Sequence, residues 1–192
     1  MSEITDTRAD IAATHEWITT LLAHTSDEQL DAPTPCTEFD VRALTEHLNA
    51  VSDKLRTVAE GGNPHDRPFR VPVDPGRLAD QYAAGAAEAR AAWADDALLT
   101  ATVTAPYGPV PGHVALSGFL MELVAHGWDL AVATGQESET DPAVVARAQA
   151  LAEQAVSDEA RGPGMPFGEQ VEPRPGAGPT ERLAAYLGRA RP

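Results

Sequence analysis

Residues 118–130, GFLMELVAHGWDL, form an apolar run that contains Glu122 and His126 four residues apart. A helix places residues at this spacing on one face, so the run predicts a buried helix that carries a carboxylate beside an imidazole. A carboxylate taken into a core without a partner costs several kcal/mol or is protonated. A shared metal ion is one general way to satisfy both groups. An intrahelical hydrogen bond between them is the simpler alternative.

A third polar group, His47, lies beside the apolar stripe of another predicted helix. A single histidine in such a position is more often a hydrogen-bonded core residue than a metal ligand. In company with Glu122 and His126, however, it completes a His/His/Glu set of the kind that binds zinc. We therefore predict His47, Glu122 and His126 as the ligands of a divalent metal ion.

Two further residues are candidates for support of that set. Asp129 follows His126 by three residues on the same helix face, where its carboxylate could accept the free N–H of a metal-bound imidazole. A simple ion pair or a hydrogen bond late in the helix is the alternative for Asp129. His15 follows the inward stripe of the first helix, and it is either a packed residue, a donor of a hydrogen bond to a metal ligand, or a substitute ligand.

The remaining histidines and the single cysteine carry weaker signals. His113 falls on the side of its helix opposite Glu122, and His24 and His65 are expected to be solvated surface residues. With Cys36 as the only cysteine, an internal disulfide and a cysteine-rich zinc site are excluded. We interpret Cys36 as structural and expect nitrogen and oxygen ligands.

Length and charge limit the class of protein. The 192 residues suit one domain with a substantial core. The net charge of −15, with Lys54 as the single lysine, offers no basic stripe for nucleic acid. The longest uncharged stretch, residues 107–121, contains helix breakers and does not predict a membrane span. An acidic start without a signal pattern predicts a cytoplasmic protein.

Apolar periodicity and capping signals predict an all-α fold, a four-helix bundle with additional C-terminal helices and an irregular Pro/Gly-rich tail. We place the metal-binding bundle at residues 1–162 and the tail with its short helix, packed on the bundle, at 163–192. An extended or hairpin-like crossover is predicted over residues 100–112. The predicted helices are 7–24, one from the N-cap Asp40 to Gly61-Gly62, one that opens at Asp74-Pro75, 114–134, one from Asp141-Pro142 to Gly162, and a short one capped by Thr180.

Two segments carry a family resemblance, PTPCTEFDVRALTEHL at 33–48 and ELVAHGWDLAVATG at 122–135. Together they resemble the actinobacterial metal-binding proteins of the DinB-like superfamily, among them the metal-binding domain of mycothiol-dependent maleylpyruvate isomerase. The resemblance implies a four-helix bundle that holds a divalent ion, Zn²⁺ or alternatively Ni²⁺ or Fe²⁺, through His47, Glu122 and His126. The fourth position is then left to water or a thiol. It also implies mycothiol or an analogue as cosubstrate in S-transfer, isomerisation or detoxification.

These expectations define competing functions. A metal-bound thiol is held as the nucleophilic thiolate, which favours a mycothiol-dependent transferase or isomerase acting on an electrophilic substrate. Activation of a bound water predicts a metal-dependent hydrolase instead, and a filled fourth position predicts a non-catalytic, metal-stabilised binding protein. The isomerase carries a further C-terminal domain where this chain has a tail, so maleylpyruvate is not the expected substrate. Pairing through a helix face would give a homodimer.

Overall fold

The computed structural model describes residues 4–162 and 167–191, over which the chain forms six α-helices and one β-hairpin. The helices are α1 (Arg8–Ala23), α2 (Val41–Ala59), α3 (Leu78–Ala92), α4 (Gly112–Ala133), α5 (Pro142–Ala155) and α6 (Pro179–Tyr186). The hairpin consists of β1 (Thr102–Ala105) and β2 (Gly108–Pro111). Short 3₁₀ turns occupy Asp27–Gln29, Pro64–Asp66, Asp96–Leu99 and Asp158–Ala160.

The first four helices form a bundle in which α1 and α2 each pack against both α3 and α4. Each of these helices turns an apolar stripe inward, and the stripes meet in one hydrophobic core. Helix α4 is the most deeply enclosed, because α5 and α6 also pack against it. The predicted all-α bundle is therefore confirmed. In the described part of the chain, no helix combines the length and apolar character needed to cross a bilayer.

The predicted crossover is an antiparallel hairpin, in which Ala105 pairs with Gly108 across the two-residue loop Pro106-Tyr107. Gly108 has a φ of +116°, a backbone conformation that residues other than glycine rarely adopt. The hairpin packs against α2 and α4. At its tip, the Tyr107 hydroxyl donates a hydrogen bond to the Val114 carbonyl at 3.0 Å. This contact places an aromatic side chain over the N-terminal part of α4.

Two helix boundaries differ from prediction. Helix α3 begins at Leu78 rather than at Asp74-Pro75, because the Arg77 N–H donates to the Asp74 carbonyl at 3.1 Å and closes a turn. Pro75 and Gly76, whose φ is +77°, occupy the two central positions of this turn, as expected for type II. Helix α5 ends at Ala155 rather than at Gly162, since Val156 is already extended.

The last helix also starts differently from prediction. Gly178 is the N-cap of α6 and Pro179 is its first residue, so Thr180 is not the cap. Instead, the carboxylate of Glu139 accepts hydrogen bonds from the Thr180 and Glu181 backbone N–H groups at 2.9 and 3.2 Å. The α4–α5 connection thereby satisfies the start of α6. Of the proposed tail, residues 163–166 and 192 lie outside the described residues.

Candidate metal centre

The structure brings His47, Glu122 and His126 together between α2 and α4. One potential ligand atom from each residue lies within 4.8 Å of the other two. His47 Nε2 is 3.3 Å from Glu122 Oε1. The imidazole rings of His47 and His126 lie nearly perpendicular to each other, with their centroids 5.0 Å apart. Helical spacing alone fixes Glu122 beside His126, whereas His47 arrives from the neighbouring helix.

Local sequence fixes the orientation of His47. The Asp40 carboxylate accepts from the Ala43 N–H at 2.7 Å and starts α2, as predicted, so that His47 lies two turns into the helix. Phe39 stacks on its ring at a centroid distance of 4.9 Å, and Phe69 lies 4.7 Å away. His47 Nδ1 is 3.2 Å from the Phe69 carbonyl oxygen, an acceptor, so Nδ1 carries the proton of that bond.

His126 is oriented by a buried chain of charges. Its Nδ1 donates to Asp129 Oδ2 at 3.1 Å, and Arg189 Nε donates to the same oxygen at 3.2 Å. The Asp129 side chain is fully buried. Burial opposes the charged form of Arg189, but the charge and hydrogen bond of Asp129, together with Cys36 and Glu38, outweigh burial and raise the pKa of Arg189. The carboxylate expected to fix the His126 tautomer is therefore in contact with it.

Glu122 is the acidic member of the group. Burial favours its neutral form, yet the hydrogen bond from His47 and the charges of His126, His47 and Lys54 prevail, so the pKa of Glu122 lies below its usual value. Its side chain remains 35% exposed. An ionised, reachable carboxylate beside two imidazoles is the state that a metal ligand requires.

The proton positions fit a metal ion. Both Nδ1 protons are committed to oxygen acceptors, as in most metal-binding histidines. In a neutral His47 ring, the Nε2 lone pair then faces the Glu122 carboxylate, so two acceptors meet at 3.3 Å. Either a second proton on His47 or a cation between the groups resolves this repulsion. The nitrogen and oxygen donors suit zinc and related divalent ions.

A second group of potential ligands shares His126 and contains Cys36 and Asp129, all three buried. The cysteine was interpreted from sequence as structural, with no base nearby. In the fold it lies beside an imidazole and a carboxylate. Burial is the main cause of a raised pKa of the Cys36 thiol, and Asp129 contributes to it. Because a metal binds the thiolate, this environment makes the second group the poorer candidate.

A cavity of 260 Å³ lies beside the candidate metal centre, where Glu122 and His126 line it. Among the described residues, its wall carries one arginine, Arg189, and the Tyr107 ring of the hairpin. The remaining lining is mostly apolar and includes Phe119, Met121, Ala125, Phe167 and Leu187. A ligand can therefore reach Glu122 and His126 from a largely apolar space, in which charge interactions are stronger than in water.

The structure places the other histidines apart from this group. His15 Nδ1 is 2.7 Å from the Tyr82 hydroxyl, between α1 and α3, and no hydrogen bond among the described residues joins it to a predicted ligand. No described contact therefore lets His15 orient a predicted ligand. His113 Nδ1 meets the Leu99 carbonyl at 2.9 Å, and His24 Nδ1 meets the Thr20 carbonyl at 2.8 Å. His65 is exposed.

Sequence reasoning missed three residues around the centre. Arg189 follows α6, some sixty residues from Asp129, and Phe69 lies in a proline-rich loop. Cys36 lies in the loop before α2. None of them has a local pattern that predicts such contacts, because each contact depends on how distant segments fold together.

Fold and site together define a DinB-like helical bundle with a candidate metal centre. Residues 11–131 match the family described as the mycothiol maleylpyruvate isomerase N-terminal domain, and the chain belongs to this family. This membership connects it with mycothiol-related, metal-binding function. The matched region ends two residues after Asp129, so it includes the three predicted ligands.

Two curated proteins of Mycobacterium tuberculosis are similar over most of the chain. They are the uncharacterized proteins MT0763 of strain CDC 1551 / Oshkosh and Rv0738 of strain ATCC 25618 / H37Rv. Each is 34% identical over 169 residues, which cover 88% of this chain and 90% of the relative. No solved structure showed significant similarity to the chain.

Proposed function

We propose that the protein binds a divalent metal ion, preferably Zn²⁺, through His47, Glu122 and His126, and uses it to activate mycothiol or a similar thiol. The observation that carries the proposal is the approach of His47 Nε2 to Glu122 Oε1 at 3.3 Å while both Nδ1 atoms face oxygen acceptors. Of the two partners that would satisfy this contact, a second proton on His47 or a cation, we assign a metal cation, which His126 can also bind.

When bound, the ion would lower the pKa of a coordinated thiol and hold it as thiolate. Glu122 supplies the negative charge among the three ligands, and Asp129 keeps His126 in the required tautomer. The proton of the thiol leaves to solvent through the open side of the cavity. The apolar walls limit competing attack by water.

The reaction class that follows is attack of the sulfur on an electrophilic carbon. In a transfer reaction, the S–C bond forms, the bond to the leaving group breaks, and the leaving group departs with the electron pair. In an isomerisation, the S–C bond forms at one carbon of a C=C bond, whose π electron pair moves to an adjacent electron-withdrawing group. After rotation about the resulting single bond, the pair returns, the double bond re-forms and the S–C bond breaks to release the thiolate. Neither course requires an oxidant or a reductant.

Elemental analysis of the purified protein beside His126→Ala, Glu122→Gln and the control His65→Ala tests the ligand set. We expect one metal ion per chain in the wild type and in the exposed control. Both site variants should bind metal at least about 100-fold more weakly. Stoichiometric metal in either site variant would remove that residue from the set.

Calorimetric titration with mycothiol then tests the use of the metal. Binding by the metal-loaded protein and none by the chelated protein supports the thiol-dependent reaction. Metal without thiol binding shifts the assignment to a metal-dependent hydrolase or a non-catalytic binding protein. If the metal-loaded protein cleaves activated esters, hydrolysis replaces thiol transfer.

A further inference from the structure

A second cavity, of 570 Å³, adjoins the cavity beside the metal centre. It runs along α4 toward the end of α5. Four residues line both cavities, namely Tyr107, Gly118, Met121 and Phe167. The two spaces are therefore neighbours that share one wall of the bundle.

Tyr107 lies at the boundary between the two cavities. A Cβ atom at position 118 would come within 2.6 Å of the Tyr107 hydroxyl oxygen and 3.0 Å of its ring, so only glycine lets the ring lie this close to α4. The hydroxyl donates to the Val114 carbonyl, and the side chain is still 58% exposed. A ligand that occupies both cavities would therefore pass along this ring.

The lining of the second cavity differs chemically from that of the first. Among the described residues, no Asp, Glu, Lys or Arg lines it, whereas Glu122 and Arg189 line the first. Two of its polar side chains already have partners, because His113 Nδ1 meets the Leu99 carbonyl and Ser117 Oγ donates to the His113 carbonyl. Its apolar lining includes Val114, Met121, Leu151, Val156 and Phe167. An uncharged, apolar group fits this space without a desolvation penalty.

Size also assigns different tasks to the two cavities. Pockets for small ligands typically measure about 300–1,000 Å³. The 260 Å³ beside the metal centre falls below that range, although a thiol and its electrophile would have to meet there. The 570 Å³ of the second cavity falls within it. The second cavity can therefore hold the body of one reactant that extends past Tyr107.

We propose that the second cavity binds the uncharged, apolar substituent of the electrophilic substrate, while the reactive carbon lies in the metal cavity. This inference rests on the proposed function, and it adds the substrate class to it. The expected substrate is an amphiphile, with a polar electrophilic head and an alkyl or aryl body. Small, fully charged electrophiles would leave the second cavity unused.

Binding can be tested without turnover, with N-alkylsuccinimides, which carry an imide head and cannot react with thiols. Displacement of the neutral fluorescent probe N-phenyl-1-naphthylamine reports their affinity for the full-length chain. In the wild type, each added methylene from N-methyl to N-hexyl should lower Kd about threefold to fourfold. A flat series would overturn the proposal.

A matched pair of variants on α5 locates the effect. Ala155 is exposed and lines the second cavity, and Ala150 is exposed and does not. Ala155→Trp should flatten the chain-length series, and Ala150→Trp should leave it as in the wild type. Should Ala155→Trp misfold, Gln154→Trp, at another exposed lining position, serves in its place. Equal series in the cavity variant and the control would refute the assignment.

The same titration on metal-loaded and chelated protein separates this inference from the proposed function. A chain-length dependence that survives chelation supports the cavity assignment even when the metal experiments fail. Conversely, normal metal and thiol binding beside a flat series leaves the function standing and removes the apolar substrate class.

Discussion

Two parts of the bundle bury histidine to the same depth and with opposite consequences. His15, between α1 and α3, is 5% exposed, and His47 and His126, between α2 and α4, are 4% and 7% exposed. His15 meets only the neutral Tyr82 hydroxyl, and its Nε2 has no partner among the described residues. Burial, with the charge of Arg90, lowers the pKa of His15 to about 4. His47 and His126 instead each lie within hydrogen-bond reach of a carboxylate.

Depth of burial therefore does not distinguish a packed histidine from a candidate ligand. The distinguishing feature is negative charge: Glu122 and Asp129, in the middle and C-terminal half of α4, contact His47 and His126, whereas no carboxylate among the described residues hydrogen-bonds to the His15 ring. The surroundings of His15 stabilise a neutral imidazole. The surroundings of His47 and His126 favour imidazoles that bind a cation.

The largest expected effect contrasts one histidine from each setting. His47→Ala should weaken metal affinity by at least about 100-fold, because it removes a ligand and leaves Glu122 without its nearest partner. His15→Gln should keep one metal ion per chain. Competition against a chromophoric chelator measures both affinities. If both variants lost metal affinity equally, the proposed difference between His47 and His15 would be wrong.

A smaller effect is expected from the residue behind His126. Asp129→Asn removes the charge that holds the Nδ1 proton, and loss of such a partner typically costs about 10- to 100-fold in metal affinity. Arg189→Gln keeps the carboxylate and should lower affinity less. Thermal unfolding of the metal-free proteins serves as a control for the ion pair that both variants break. Unchanged affinity in Asp129→Asn would show that this carboxylate only stabilises the fold.

The His15 setting should appear in the dependence of stability on pH. The pKa of His15 is about 4 in the folded chain, below the ordinary histidine value of 6.5, so the unfolded chain binds more protons between these values. Stability from this residue is complete above pH 6.5 and is lost as pH falls toward 4. The free energy of unfolding should fall by about 2 kcal/mol between pH 7 and pH 5 because of this residue.

Urea unfolding of metal-free protein at both pH values measures this loss, with His15→Gln as the comparison. The variant should lose less stability than the wild type over the same interval, by about the same 2 kcal/mol. Parallel pH profiles would mean that His15 is solvated or paired in solution, and that the two settings differ less than the structure indicates.

Sequence reasoning succeeded where the relevant geometry is local. Glu122, His126 and Asp129 belong to one helix, so their spacing alone placed them on one face, and the apolar stripe of α2 located His47 beside the core. The predicted start of α3 was wrong because the sequence Asp74-Pro75-Gly76 is as compatible with a turn as with the start of a helix. Arg189, Phe69 and Cys36 were out of reach, because their contacts depend on loops and on a distant helix.

His47 is the one predicted ligand that does not come from α4, and it is 75 residues from Glu122 along the chain. An ion held by all three would act as a reversible cross-link that only the folded chain can form. Folding and metal supply then become thermodynamically linked, and free metal at ten times its Kd adds about 1.4 kcal/mol to the free energy of unfolding. The lifetime of the protein under proteolysis would accordingly follow the metal content of its surroundings.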